Sequence, residues 1–418
     1  MTARSRARGF GPGVRAVAAP GGSGPPRGVM VGAAGALGLW ALGGAGAAAW
    51  GWAGLPGARG ALGELPPAEA AALRAACAGA GPAAAPFRRA ARCRFGPAGQ
   101  APVPPLRPAE RAGLLFGAVM FVLPRIILTF SLLAFHTLVC VLCGWGLLGR
   151  WGLRTVAPAS GSYTSLLLLW GCGMRLAVER RGDSREPAAV VVSNHTSYLD
   201  IFVLTYLYFP GFVSKAAVAD VPLIGTSAKA MGSVFVERTA DTKRAGAGQK
   251  HGQGSVLQDR IREVDGLMRA DPTGPHKPVA VFAEGTTSNG AYLLPFKRGA
   301  FLASVPVRPL VVVYEGGQLA AAWESMSALR HMFLLFSGFS RHTIKVIELP
   351  VIRPNSQERA DPALFAERVR QAVGAAGGFK YSASTLKEKR EYEKVMKGEM
   401  RAMKQKRKAR DGKNDKAA

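Results

Sequence analysis

The spacing of apolar and polar positions divides the chain into a membrane-like first part, a domain of short alternating runs and a charged tail. The uncharged stretch Gly28–Ala58, with its apolar centre Val29–Trp52, is long enough to cross a bilayer. It is rich in Ala and Gly, so each residue adds little to insertion, and Trp40, Trp50 and Trp52 fit interfacial anchors. Residues 28–54 are therefore a candidate transmembrane helix, with a cleaved leader or a buried hairpin as alternatives. Ile126–Gly149 is a stronger case, rich in Leu, Ile, Val and Phe and bounded by Arg125 and Arg150. Gly113–Leu123 precedes it across Pro124 and Arg125 and is too short to span alone, so residues 112–150 are expected to form a membrane helix or a re-entrant helical hairpin. Arginine on both flanks leaves the topology open.

From about Ser162 the period changes. Strands are expected at Ala188–Ser193, Phe212–Lys215, Ser233–Glu237, Pro278–Ala283, Pro309–Tyr314 and Ile344–Leu349. Helices are expected at Ile201–Tyr208, Pro222–Met231, Val256–Arg269 and Pro362–Ala375, the last capped by Asp361. The alternation predicts an α/β domain over residues 155–380, a mixed β-sheet flanked by helices. Ala245–Ser255, rich in Gly and Gln, reads as a surface insertion, and Tyr392, Met396, Met400 and Met403 recur at helical spacing in a basic charged helical tail, 381–418.

Composition narrows the class. With 48% apolar residues in 418 positions, the chain is neither a polar disordered protein nor a collagen-like fibre. Its 54 Lys+Arg against 27 Asp+Glu give a net charge of +27, which favours anionic partners. The charge has two sources. Residues 1–27 carry Arg4, Arg6, Arg8, Arg15 and Arg27 without an acid and read as a disordered basic N-terminus, with an organelle transit peptide as the lesser alternative; the tail supplies the rest. Residues 55–111, rich in Pro, Ala and Gly, read as a linker. No zinc-finger spacing, RNA-recognition signature or basic stripe interleaved with aromatics is present, so nucleic acid is not an expected partner. Cys77, Cys93, Cys140, Cys143 and Cys172 are odd in number, which argues against a disulfide framework. His136, Cys140 and Cys143 share a helix face inside the apolar run, where soft packing is the expectation and a metal is not.

The chemistry is concentrated where strands end. In Val190–Asp200 a β-branched strand runs into Asn194 and His195, and Asp200 opens a helical run. On one continuous helix the two would point apart, so they can meet only across a turn, where the carboxylate would orient the imidazole as a general base. The pattern alone also permits Asp200 as a simple helix cap and His195 as a hydrogen-bonded loop residue. Three later segments add to it: Gly232–Arg238, a strand ending in a phosphate-capable Arg; Ala280–Ser288, a strand emptying into Glu284-Gly285-Thr286-Thr287, with Lys297 and Arg298 after it; and Val305–Leu310. Each has a structural explanation singly. Together, at strand ends on one side of a sheet, they would surround a crevice with a base and several cations.

This order resembles the motif blocks of the glycerolipid acyltransferases over about Arg175–Pro350. His195 and Asp200 match the HxxxxD block, Gly232–Arg238 the strand-plus-Arg block, Phe282–Thr286 the FPEGT block and Pro306–Pro309 the proline block. The resemblance implies a glycerolipid acyltransferase-like fold and a membrane-bound enzyme without a cofactor, with acyl-CoA as co-substrate and a lysophospholipid as acceptor at a lipid bilayer. It implies His195 as base, Asp200 as its orienter, backbone N–H groups at the start of the next helix as oxyanion donors, Arg238 on the acceptor phosphate, Glu284, Gly285 and Thr286 shaping the headgroup site, and Lys297 or Arg308 meeting coenzyme A phosphates. Ala283 replaces the family's Pro, a change expected to loosen the turn, and Thr287 its Arg. The EGTT run followed by Ser288-Asn289-Gly290 is similar to the lysophosphatidylcholine/lysophosphatidylethanolamine branch. A lysophosphatidate acyltransferase and a catalytically inactive lipid-binding or tethering protein are the alternatives. A hydrolase would need a nucleophile, and Ser193 and Ser197 lack the G-x-S-x-G context. The endoplasmic reticulum is the expected membrane, a plastid membrane the alternative; oligomeric state is not set by the sequence.

Overall fold

The computed structural model describes residues 85–86 and 108–395, except 148, 182, 184–185, 237–252, 273, 275, 317–320, 324–327 and 338–341, together with 398 and 405. The basic N-terminus, the first apolar stretch, nearly all of the linker and the Gly/Gln-rich insertion up to Gly252 lie outside these residues.

Seven strands make one mixed sheet: β1 (Met174–Arg180), β2 (Val190–Ser193), β3 (Gly211–Lys215), β4 (Val234–Val236), β5 (Val279–Phe282), β7 (Val307–Gly316) and β8 (His342–Glu348), ordered β1-β8-β7-β2-β5-β3-β4. From β7 to β4 the neighbours run parallel; β8 is antiparallel to β7 and parallel to β1. Val190, Val191 and Val192 are buried and β-branched, as a central parallel strand covered on both faces requires. One face packs against α5 (Gln253–Ala270) and α8 (Pro362–Gly377), bringing Ile261, Phe365, Val369 and Val373 onto Val190, Val307 and Val311 in one core. The Asp361 carboxylate accepts the Ala363 N–H at 2.9 Å and caps α8, with Pro362 in its first turn. A small parallel pair, β6 (Tyr292–Leu293) with β9 (Lys380–Tyr381), ties the end of α8 to the segment after β5.

The helical part departs from expectation at Pro124. The two apolar segments are one helix, α1 (Pro108–Gly144), which contains Pro124 in its interior, so they do not form a re-entrant pair. Pro124 lacks an N–H, yet the helix is held from outside. The Arg125 guanidinium donates to the Phe336 carbonyl in α6 (Ala328–Ser337), and Thr137 Oγ1 donates to the Leu223 carbonyl at 3.1 Å, next to α4 (Ile224–Ala230). The chain turns back afterwards, through Gly149–Val156 into α2 (Ala157–Gly171), which crosses α3 (Leu199–Tyr208) where Gly161 meets Phe209. Within α1, the 30 residues Leu115–Gly144 are long and apolar enough to cross a membrane by length and composition. Ile127, Phe130 and Phe135 are exposed there, a surface suited to association with lipid.

Candidate active site

β2 and β5 are adjacent and parallel, and each carries its chemistry just past its carboxyl end. β2 stops at Ser193 because Asn194 closes it with its side chain: Nδ2 donates to the Val312 carbonyl at 2.9 Å and Oδ1 accepts the Val312 N–H at 2.8 Å, continuing the ladder to β7 without backbone. The turn that follows brings His195 Nδ1 to 2.9 Å from Asp200 Oδ2. The contact is made across the turn, as the five-residue separation required.

Asp200 has no exposed surface, and the hydrogen bonds it accepts fix it further. Oδ2 also takes the N–H groups of Thr196 at 2.7 Å and Ser197 at 2.9 Å, and Oδ1 takes the Tyr314 hydroxyl at 2.5 Å. Burial and the adjacent Asp200 carboxylate push the Tyr314 phenol well above its ordinary range, so it stays a donor. Thr196 and Ser197 lie in the turn just before α3 (Leu199–Tyr208), near where oxyanion donors are expected, and their N–H groups are bound to Asp200. With Nδ1–H on the carboxylate, the basic lone pair of His195 is on Nε2. The imidazole stacks on Phe282, the last residue of β5, at 4.0 Å between centroids and 12° between planes. It is 17% exposed, enough to meet a substrate.

The second turn is bonded to the first on both sides. Glu284 Oε1 accepts the His195 N–H at 2.7 Å, Oε2 accepts the Leu294 N–H at 2.9 Å, and the Ser288 N–H donates to the His195 carbonyl at 2.9 Å. Burial raises the Glu284 carboxyl to about 8, against the opposing effect of the two amide bonds. Both Glu284 oxygens thus accept backbone N–H groups, and one of them holds His195. Gly285 adopts φ +68°, and a Cβ there would stand 2.4 Å from Lys297 Nζ, so Lys297 lies over the turn. Thr286, in the same turn, is buried. Ala283 in place of Pro does not open it; the Gly285 N–H reaches the Phe282 carbonyl at 2.9 Å and the Lys297 N–H the Ala283 carbonyl at 2.8 Å.

Arg308 is a correction. It pairs with Val191 in the register, well before the end of β2, and is 3% exposed. Its guanidinium is bound to Glu348 at 2.9 Å, where Tyr208 and Arg180 also converge, and to the carbonyl of Glu186. Arg308 therefore serves the core, away from the crevice, and is not available to coenzyme A. Arg238 lies outside the described residues. Sequence reasoning missed Tyr314, Phe282 and the Asn194 lock; for Asn194 its place at the end of a β-branched run was the available signal.

The His195–Asp200 pair past the end of β2 and the Glu284 turn past the end of β5 thus form one bonded unit, which comparison with known proteins places in context. Residues 175–313 match the family model Acyltransferase. Lysophospholipid acyltransferase LPEAT1 of Arabidopsis thaliana is 36% identical over 222 residues, covering 53% of this chain and 53% of that protein. Lysophosphatidylcholine acyltransferase of Drosophila melanogaster is 28% identical over 274 residues, 60% of this chain and 48% of that protein. The chain thus spans about half the length of these curated relatives. The crystal structure of the 1-acyl-sn-glycerophosphate (LPA) acyltransferase PlsC from Thermotoga maritima superposes with a TM-score of 0.39 at 16% identity, over 61% of this chain and 96% of that one.

Proposed function

We propose that this chain is a membrane-bound, acyl-CoA-dependent lysophospholipid acyltransferase that acylates a glycerol hydroxyl of lysophosphatidylcholine or lysophosphatidylethanolamine. The observation that carries the reading is the 2.9 Å contact between His195 and a fully buried Asp200. His195 Nε2 takes the proton of the acceptor hydroxyl while Asp200 stabilises the imidazolium. The oxygen attacks the thioester carbonyl, the C–O bond forms, the C–S bond breaks, and the imidazolium returns its proton to the departing coenzyme A sulfur. No covalent acyl-enzyme is needed, and Ser193 Oγ and Ser197 Oγ, buried beside the base, make no hydrogen bond to it, which speaks against a serine hydrolase. The acceptor class follows the EGTT run and the names of the similar proteins. Arg238 is assigned the acceptor phosphate and Lys297, beside Gly285, a coenzyme A phosphate. The membrane is assigned to the endoplasmic reticulum.

The test is transfer of a labelled acyl group from acyl-CoA to a panel of lysolipids in membrane fractions, run beside His195→Ala. Headgroup-selective transfer that drops by about 100- to 10,000-fold in the variant is expected. Unchanged transfer with alanine would refute the base; acylation of lysophosphatidate alone would move the acceptor; lipid retention without any transfer would favour the tethering alternative.

A further inference from the structure

The basic tail reads in sequence as a solvated or lipid-facing helix, yet one of its lysines is buried against the active site. A helix at 386–395, here α9, opens with Thr385, whose N–H and Oγ1 both donate to Glu388 Oε2, at 2.7 and 2.6 Å. Lys387, Arg390, Glu391 and Lys394 are exposed, whereas Lys389 and Tyr392 are 6% and 2% exposed and form an inner face. Burying an ammonium is costly unless it is bound, and this one is: Lys389 Nζ donates to the Thr287 carbonyl at 2.9 Å and to Thr287 Oγ1 at 2.8 Å. Thr287 precedes Ser288, whose N–H holds the His195 carbonyl, and lies in the turn whose Glu284 holds the His195 N–H.

We propose that Lys389 is a positioning residue for acyl transfer, its ammonium pinning the Glu284–Ser288 turn against the main chain of His195. The proposal rests on the reading of the site as an acyltransferase centre. It makes α9 part of the catalytic unit. It also accounts for Thr287, where the family pattern carries an arginine: positive charge reaches this position from 102 residues downstream. Lys389 acts on the base through two turns of backbone and touches neither substrate.

The test compares the full-length protein with Lys389→Met, Lys389→Arg and the exposed control Lys394→Met, in membranes for kinetics and in detergent for hydrogen exchange and melting. For Lys389→Met a loss in kcat of about 10- to 100-fold is expected, with KM for acyl-CoA and lysolipid within about twofold, since a displaced base slows the reaction without changing ground-state binding. The amides of His195 and Ser288 should exchange faster in the same variant, Lys389→Arg should recover most of kcat, and Lys394→Met should match the wild type. Unchanged kcat and unchanged exchange in Lys389→Met would overturn the proposal. So would a loss confined to KM, or one matched by the drop in folded fraction. Should the wild type transfer no acyl group to any lysolipid while Lys389→Met still frees those two amides, the enzymatic reading fails, the role in acyl transfer falls with it, and only the pinning of the turn stands.

Discussion

Asp200 shows how one carboxylate is divided among tasks. Oδ2 serves the turn and the imidazole together, and Oδ1 serves Tyr314, so removing the phenol hydroxyl weakens the orienter without touching the base. Tyr314→Phe is expected to cost about 1.5–3 kcal/mol of stability, as for a hydrogen bond to a charged group, and to lower kcat several-fold; denaturant melts and steady-state kinetics check both. Glu284 makes the opposite kind of contribution. Its folded pKa, about 8, lies above that of an unfolded glutamate, so the folded state binds the proton more tightly. The stability it contributes is fully present below the unfolded value and is lost as pH rises through about 8. Wild-type melting temperature should therefore fall between pH 5 and 9 by an increment missing from Glu284→Gln, read by thermal melts across that range. His195 and Asp200 were legible in the sequence because their contact is local, five residues apart behind a β-branched strand. Tyr314 was not, because a Tyr in a strand run reads as a strand former and its partner is 114 residues away. Arg308 misled for the same reason: an Arg near a proline block looks like a surface cation until β8 supplies Glu348.

At the scale of elements, the central strands were readable to within a few residues because buried parallel strands leave dense apolar runs between turn signals. β1 escaped even though Met174, Leu176 and Val178 alternate, since Arg175, Glu179 and Arg180 make it resemble a loop; its edge position explains the charges. α2 escaped because the change of pattern near Ser162, which falls inside it, reads as the start of β-rich structure. Its role rests on one residue without a side chain. A Cβ at Gly161 would stand 2.3 Å from the Phe209 ring and 3.1 Å from His136 Cε1, so α2 and α3 can cross only over glycine. Gly161→Leu is expected to destabilise the fold by about 1–3 kcal/mol through overpacking. Gly113→Leu, in open space on α1, is the matched control, and thermal melts in detergent distinguish them.

For the molecule as a whole, α1 does two things at once: it rests on α4 and α6 through Arg125 and Thr137, and it presents Ile127, Phe130 and Phe135 outward. Wild-type protein should remain in the membrane pellet through alkaline carbonate extraction. Replacing those three residues with Ser forfeits about 1.5–3 kcal/mol of transfer free energy each and should shift the protein toward the supernatant, measured by blotting both fractions. The sheet order has a consequence for biosynthesis. Among the described residues β1 pairs only with β8, where Arg180 faces Glu348, 168 residues later in the chain. At ribosomal speeds of about 5–20 residues per second the nascent β1 waits roughly 10 to 30 s for its neighbour. During that interval its unpaired edge is open to chaperones or to another polypeptide emerging beside it, so slowed translation between the two strands should raise aggregation more than an equal delay elsewhere.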